Sequence, residues 1–585
     1  MGMILQYLKP YLSKMAGGLS IKFIGTVMDL FLPWILAYMI DNVVPMKQMG
    51  PIWLCGAVMA VCAILAVTLN IAANRMAAAV ARDATRTIRH DLFAKISLLS
   101  CAQIDKMTIP SLVSRLSSDT YNLHRMISTM QRMGIRAPIL LLGGILITLT
   151  LDPMLTLIMV ATLPFTVLVI VLVSRIGIPM YTKLQNAVDT MVRVVRENAS
   201  GIRIIKALSK ADYEKARFAE ANTEVSSREQ RANVVMGITN PVMFLILNLG
   251  LVVVLIVGAS RVNAGQTQPG AILAFLTYFT IILNATLSIT RMFVMFSRGS
   301  ASGERIAEVL ALPEDLTLHN RDHRDNGYHI VFEKVSFSYY SQSSLLEDIS
   351  FSLKRGETLG ILGEIGSGKS TVLQLLLRFY DPRAGTIRIN GDDIRGIPSD
   401  ELYPMFGIAF QKDVLFADTI RENIDFGRQL TEEQLRAAVT YAQADQFVDT
   451  LEEGLDYDLS SRGTNLSGGQ RQRLLIARAL AAPAKTGASG PEILILDDSS
   501  SALDYRTDAN LRQSLGEHFS NTTTIIVAQR ISSLKQADHI LVLEQGRILG
   551  YGAHDELLLS CALYQELYQS QMGGGIQESE ASRAG

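Results

Sequence analysis

The segment Gly363-Glu364-Ile365-Gly366-Ser367-Gly368-Lys369-Ser370 directly follows the short apolar run Thr358–Leu362. This is the strand–loop–helix setting of a complete Walker A motif. Its glycines let the backbone turn N–H groups onto phosphate. Lys369 would reach the outer phosphates, and Ser370 would hold Mg²⁺. Thr371 follows in the same first turn, where a helix presents its positive end. A second apolar run, Ile493–Leu496, ends in Asp497. A carboxylate at a strand end fits Walker B, which supports Mg²⁺ through its water shell.

These residues need a parallel sheet to hold them. From Tyr328 onward the pattern is one of short strands, His329–Phe332, Val335–Tyr339, Thr358–Leu362 and Thr524–Val527, as in a soluble α/β domain. The chain before that differs. Hydrophobic residues make up 49% of the 585 residues and charged residues 19%, and the long apolar runs end near residue 296. That bias calls for membrane spans of about 20 residues each. Six are expected, at about 21–40, 52–73, 137–150, 154–173, 235–257 and 271–296. The segments 76–132 and 175–234 read as helices continuing out of the membrane and back. They carry Arg82, Arg86, Arg89, Arg175, Lys183, Arg193, Arg196 and Arg203, whereas the short loops 41–51 and 258–270 hold few basic residues, Lys47 and Arg261 among them. The positive-inside rule then places both termini and the second half in the cytoplasm of a multi-pass protein, with a bacterial inner (plasma) membrane as the compatible location. The expected layout is a membrane domain over 1–300, a linker over 301–329, a nucleotide-binding domain over 330–572 and a disordered polar tail over 573–585.

Other features are less informative. Net charge is -1, which gives no case for nucleic-acid binding. Cys55, Cys62, Cys101 and Cys561 match no metal or disulfide pattern. Asp29 falls in mid-span, where it reads as a helix–helix or structural contact, as a cavity residue, or as the mark of a mis-set span boundary. Arg291 could snorkel or face a cavity.

The chain resembles a half-transporter of the ATP-binding cassette exporter family. The resemblance rests on the Walker motifs together with Leu466-Ser467-Gly468-Gly469-Gln470, the family's signature sequence, and Ser501-Ala502-Leu503-Asp504, its D-loop. Gln411 matches the Q-loop and Tyr339 the aromatic residue that stacks on adenine. It implies six long helices, exchanged between subunits of a dimer, followed by an α/β P-loop cassette that hydrolyses ATP with Mg²⁺. Ser370, Gln411 and Asp497 would serve the metal, partly through water. Ser467, Gly468, Gly469 and Gln470 would bind the γ-phosphate held by another chain's Walker A. The segments 103–112 and 208–219 resemble coupling helices.

Two positions depart from the family pattern. Asp498 stands where the general-base Glu is usual, and Gln529 where a switch His is usual. Aspartate is one methylene short, and water activation is sensitive to ångström-scale placement. Glutamine hydrogen-bonds but cannot become cationic. Together they imply a degenerate ATP site, and hence a partner half-transporter that supplies the proper Glu and His. A few extra residues, Ala484 to Gly490, read as a surface insertion. The implied function is outward export, with an amphipathic or drug-like cargo expected first. A peptide or lipid cargo, or a regulatory ATP-binding subunit, are the alternatives.

Overall fold

Apolar runs in a bilayer have no water to satisfy their backbone, so they close their hydrogen bonds internally as helices. The computed structural model describes residues 2–339, 345–481, 490–499 and 502–572, and it falls into two compact units. The insertion segment 484–489, Ser501 of the D-loop and the tail 573–585 lie outside the described residues.

The first unit comprises Met1–Leu98 and Ile109–Leu312. Among the described residues, six helical stretches are long and apolar enough to cross a membrane: Gly2–Met46, Met49–Ser97, Ile109–Leu151, Pro153–Ala207, Ala211–Asn263 and Pro269–Leu310. The turns between them are tied by side chains. Asp152 caps the helix Pro153–Ala207 by accepting from the N–H groups of Met154 and Leu155, at 2.9 and 3.2 Å. Its other oxygen accepts from Arg261 Nε at 2.9 Å, which binds this turn to the end of the fifth span. Asp41 accepts from the Gly270 N–H at 2.6 Å and closes the first turn onto the start of the sixth. A Cβ on Gly250 would lie 2.6 Å from the Phe279 ring, so this glycine lets the fifth and sixth spans approach closely.

Two boundaries differ from the sequence reading. The segment read as a linker from 301 is helical to Leu310, because Ile306 and Val309 bury at helical spacing. That extension is also pinned by charge. Asp119 accepts from Ser302 Oγ and Arg305 Nε at 2.8 Å each, and Arg115 pairs with Glu308 at 2.9 Å. The second difference is at Leu99–Thr108, which belongs to the cassette unit and interrupts the membrane domain.

The second unit comprises Leu99–Thr108 and Pro313–Gly585. Its strands are β1 (Ile330–Phe337), β2 (Leu346–Leu353), β3 (Thr358–Gly363), β4 (Ala384–Ile389), β5 (Asp392–Asp393), β6 (Phe406–Ala409), β7 (Ile493–Asp497), β8 (Thr523–Val527), β9 (His539–Glu544) and β10 (Arg547–Gly552). One sheet is antiparallel with order β2-β1-β4-β5, and the other has order β10-β9-β3-β8-β7-β6. In the second sheet β9, β3, β8, β7 and β6 run parallel. Ile361, Ile495 and Ile525 are at most 1% exposed between the two sheets. Near-continuous apolar strands are what a parallel sheet covered on both faces requires. The fold is the six-helix membrane domain plus α/β cassette that the motifs implied.

Candidate ATP site

Ligands of open parallel sheets bind beyond the carboxyl ends of the strands. The candidate residues lie there, at the ends of β3, β7 and β8. After β3 the chain turns through Gly366 (φ 90°) and Gly368 (φ 103°), a backbone region that favours glycine. A Cβ on Gly368 would also sit 2.5 Å from the Leu346 side chain. Gly368 is the N-cap of the helix Lys369–Leu376. Ser367 Oγ is buried and has no hydrogen-bond partner among the described residues, a polar group inside the loop that a phosphate cradle accounts for.

Lys369 Nζ donates to the carbonyls of Gly363 and Glu364, both at 2.7 Å, and so lies across the loop. Burial lowers its pKa, while Asp497, Asp498 and Glu364 oppose the shift. Ser370 Oγ is 3.5 Å from Asp497 Oδ2. Burial raises the pKa of Asp497, and the neighbouring Asp498 adds to the rise. A hydroxyl and a carboxylate side by side at a helix start are hard oxygen donors that fit Mg²⁺ held mainly by phosphate and water. Bound there, the ion would neutralise charge on the β- and γ-phosphates.

Asp498 lies one residue past β7 with φ 49°, a left-handed conformation uncommon for a non-glycine residue. Its N–H donates to the Val527 carbonyl at 2.8 Å. Its Oδ2 accepts from Gln411 Nε2 at 3.0 Å and from Gln529 Nε2 at 3.1 Å. The Q-loop residue and both departures from the family pattern therefore meet at one oxygen.

Tyr339 is half-buried. Its hydroxyl lies 3.3 Å from Thr371 Oγ1 and donates to Gln374 Oε1 at 2.5 Å, which ties β1's end to the loop's helix. Its ring packs edge-on against Phe337 and Tyr380, at 4.9 and 5.2 Å. Gln374 was not singled out by the sequence, although it lies five residues after Lys369 on the same helix. Tyr380 in turn donates to Asp105 Oδ2 at 2.5 Å. Asp105 belongs to the short helix Cys101–Met107, in the first segment resembling a coupling helix. The second such segment is a turn at Leu208–Lys210 followed by the first turns of the helix Ala211–Gly237.

The signature residues form a separate corner of the cassette. Ser467 caps the helix Gly468–Leu480: its Oγ accepts from Gln470 N at 3.3 Å, and its own N–H donates to Gln470 Oε1 at 2.9 Å. Ser467, Gly468, Gly469 and Gln470 are thus one capping box with a free helix terminus, a general anion-binding arrangement. A Cβ on Gly468 would meet nothing within 4 Å.

In the membrane unit, Asp29 accepts from Arg136 at 3.1 Å and from Asn70 at 3.4 Å, so it joins three helices. These contacts fit the helix–helix reading of Asp29.

A membrane-spanning helical unit joined in one chain to a P-loop cassette with its own signature corner defines an exporter-type half-transporter. Comparisons with known proteins agree. The ABC transporter transmembrane region matches residues 15–286, and the ABC transporter domain matches residues 346–501. The chain is 34% identical over 578 residues to the uncharacterized ABC transporter ATP-binding protein YfiB of Bacillus subtilis, covering 98% of this chain and 99% of that one. It is 31% identical to the putative ABC transporter ATP-binding protein exp8 of Streptococcus pneumoniae, with 97% of each chain covered. A solved bacterial Atm1-family ABC exporter with ATP bound superposes with a TM-score of 0.80 at 25% identity, covering 96% of this chain and 99% of that one. This chain belongs to the ATP-binding cassette transporter family, as an exporter-type half-transporter. Its general activity is ATP-driven export across a membrane.

Proposed function

We propose that the chain is one subunit of a heterodimeric exporter of amphipathic, drug-like molecules in the inner (plasma) membrane. Its own Walker site holds ATP and hydrolyses it slowly. The observation that carries this reading is the convergence of Gln411 and Gln529 on Asp498 Oδ2. A general base must reach the proton it removes. Here the carboxylate is short, sits on a left-handed backbone and already accepts two amide N–H groups at one oxygen. At the position where the family's switch His is usual stands Gln529, which cannot become cationic. The signature corner, by contrast, keeps every family residue, and it serves the other chain's site. A partner half-transporter with an intact Glu and His would then form the hydrolytic site with Leu466–Gln470 of this chain.

ATP binding would bring two cassettes together, and hydrolysis at the partner's site would reset them. For the cargo, the membrane unit carries an open apolar groove between the fourth and fifth spans, lined by Ile158 and by the exposed side chains of Phe165, Leu168, Leu249 and Val253 among others. Such a wall favours apolar or amphipathic molecules over charged ones.

The test is steady-state ATPase and uptake into inverted vesicles, for this chain alone and co-purified with its companion half-transporter. The proposal expects turnover and drug-like cargo uptake only from the complex, both abolished by replacing the companion's Walker B Glu. Brisk turnover by this chain alone, stopped by Asp498→Asn, would refute it. ATP binding without uptake of any cargo would point to a regulatory subunit.

A further inference from the structure

The loop that carries Gln529 is held from two sides. On one side, Arg512 donates to the Ser532 carbonyl at 2.8 Å, and the Arg530 guanidinium lies 5.1 Å from the Tyr505 ring centre. Both contacts come from the helix Tyr505–His518, which follows the D-loop. On the other side stands the helix Ala562–Met572. Tyr564 is fully buried and packs with Leu567 and Tyr568 in a cluster that includes Ala528 and Ile531, the residues flanking Gln529 and Arg530.

Residues three, four and seven apart share a face of a helix. Tyr564, Leu567, Tyr568 and Gln571 follow that spacing. The first three are apolar or aromatic and face the loop; the fourth is an amide. Gln571 Oε1 accepts from the Ile531 N–H at 2.8 Å, and its Nε2 donates to the Gln529 carbonyl at 2.9 Å. One side chain thus closes a two-bond clasp over the backbone of residues 529–531. A loop peptide held at both ends has little freedom to tilt, so the clasp fixes the direction from which the Gln529 amide reaches Asp498 Oδ2.

We propose that Gln571 is a positioning residue for the ATP site. The C-terminal helix sets the placement of Gln529, and through it the part of the site that faces the terminal phosphate. This rests on the reading that Gln529 stands beside the γ-phosphate in this chain's own site. No atom of Gln571 need touch nucleotide. Its effect passes through the 529–531 backbone alone, and it therefore depends on which phosphates are present.

The experiment measures release of fluorescent ATP and ADP analogues from this chain's Walker site in the full-length transporter in lipid nanodiscs. Hydrolysis is blocked by omitting Mg²⁺ turnover conditions and holding the sample at low temperature. Gln571→Ala, which removes both bonds, is expected to speed ATP release about threefold or more and to leave ADP release within about 1.5-fold, a coupling in the range seen for residues of one hydrogen-bonded network. Gln571→Glu keeps an acceptor for the Ile531 N–H but sets a carboxylate oxygen against the Gln529 carbonyl, so it should speed ATP release at least as much as Gln571→Ala. In a Gln529→Ala background, Gln571→Ala should add nothing. Equal acceleration of ATP and ADP would reduce Gln571 to a structural cap and overturn the proposal. So would no change, or effects of the two substitutions that multiply. If Gln529→Ala itself leaves ATP release unchanged, the reading of Gln529 at the phosphate fails, and the clasp has nothing to position. Should Gln571→Ala fold poorly, Gln571→Glu carries the same comparison of ATP with ADP.

Discussion

The signature corner and the Asp498 corner of the same cassette are built on opposite plans. At Ser467–Gln470 the polar groups satisfy one another in a capping box, and Gly468 leaves the helix terminus open. At Asp498 the polar groups converge inward, with two amides on one oxygen. The first arrangement presents donors to something outside the chain. The second turns one carboxylate oxygen onto amides of its own chain. Under the proposed function, the open corner is the half that serves a neighbour, and the inward-turned corner is the half that holds nucleotide.

The largest effect should come from filling the open corner. A Cβ at 468 meets nothing within 4 Å among the described residues, and an acidic residue such as that of Gly468→Asp suits a helix start. Stability should be unchanged, yet a carboxylate would face the other chain's γ-phosphate. We expect transporter turnover to fall by about 10²–10³, the scale of losing a preorganised anion contact. ATP binding at this chain's Walker A should stay within about twofold, as read by photo-cross-linking to this chain. Turnover that survives would break the contrast. Next comes Lys369→Ala. Losing a charge-assisted contact of about 1.5–3 kcal/mol weakens ATP cross-linking to this chain roughly ten- to hundredfold.

A smaller effect is expected at the other corner. A working general base contributes about 10²–10⁴ to rate. Asp498→Asn should instead change turnover of the assembled transporter by no more than about twofold, since Asn still offers an oxygen to Gln411 and Gln529. A loss of tenfold or more in steady-state ATPase would show the corner to be catalytic.

The smallest effect is on pH. Burial and the Asp498 charge both raise the pKa of Asp497, so its carboxylate protonates at a higher pH than an ordinary aspartate. Mg²⁺ favours the charged form, so Mg²⁺-dependent ATP binding should weaken as pH falls through that raised value. Asp498→Asn removes the like charge and should move the midpoint to lower pH. An unmoved midpoint in a binding titration would mean that burial alone sets it.

What the sequence makes legible here is local. The loop Gly363–Ser370 can be read because strand, turn and helix start are contiguous, and glycine has few other reasons to recur at that spacing. The spans are legible because a bilayer imposes length and composition. Residues 301–310 read as a linker because they are not apolar throughout; only Ser302, Gly303, Ile306 and Val309 there are buried. Asp29 is open to more than one reading in the sequence because its partner Arg136 is 107 residues away. The shared oxygen of Asp498 escaped for the same reason. Its donors come from 87 residues before and 31 after, so the sequence joins the two departures by function but not by a shared contact.

The short helix Cys101–Met107 shows where such a protein can be cut. It is reached from the membrane helices along the chain, yet it groups with the cassette. Ser100 Oγ donates to Asp315 at 2.6 Å, Gln103 to the Pro313 carbonyl at 2.8 Å, and Tyr380 to Asp105. A gene fragment starting at Pro313 would therefore encode an incomplete module. Tyr380, which packs against Tyr339, would lose its acceptor, and the loss would fall beside the expected adenine position. Dissection of the transporter into soluble and membrane pieces would amputate a part that the soluble piece needs, and a synthetic gene that restores residues 99–108 through a tether would make the better reagent.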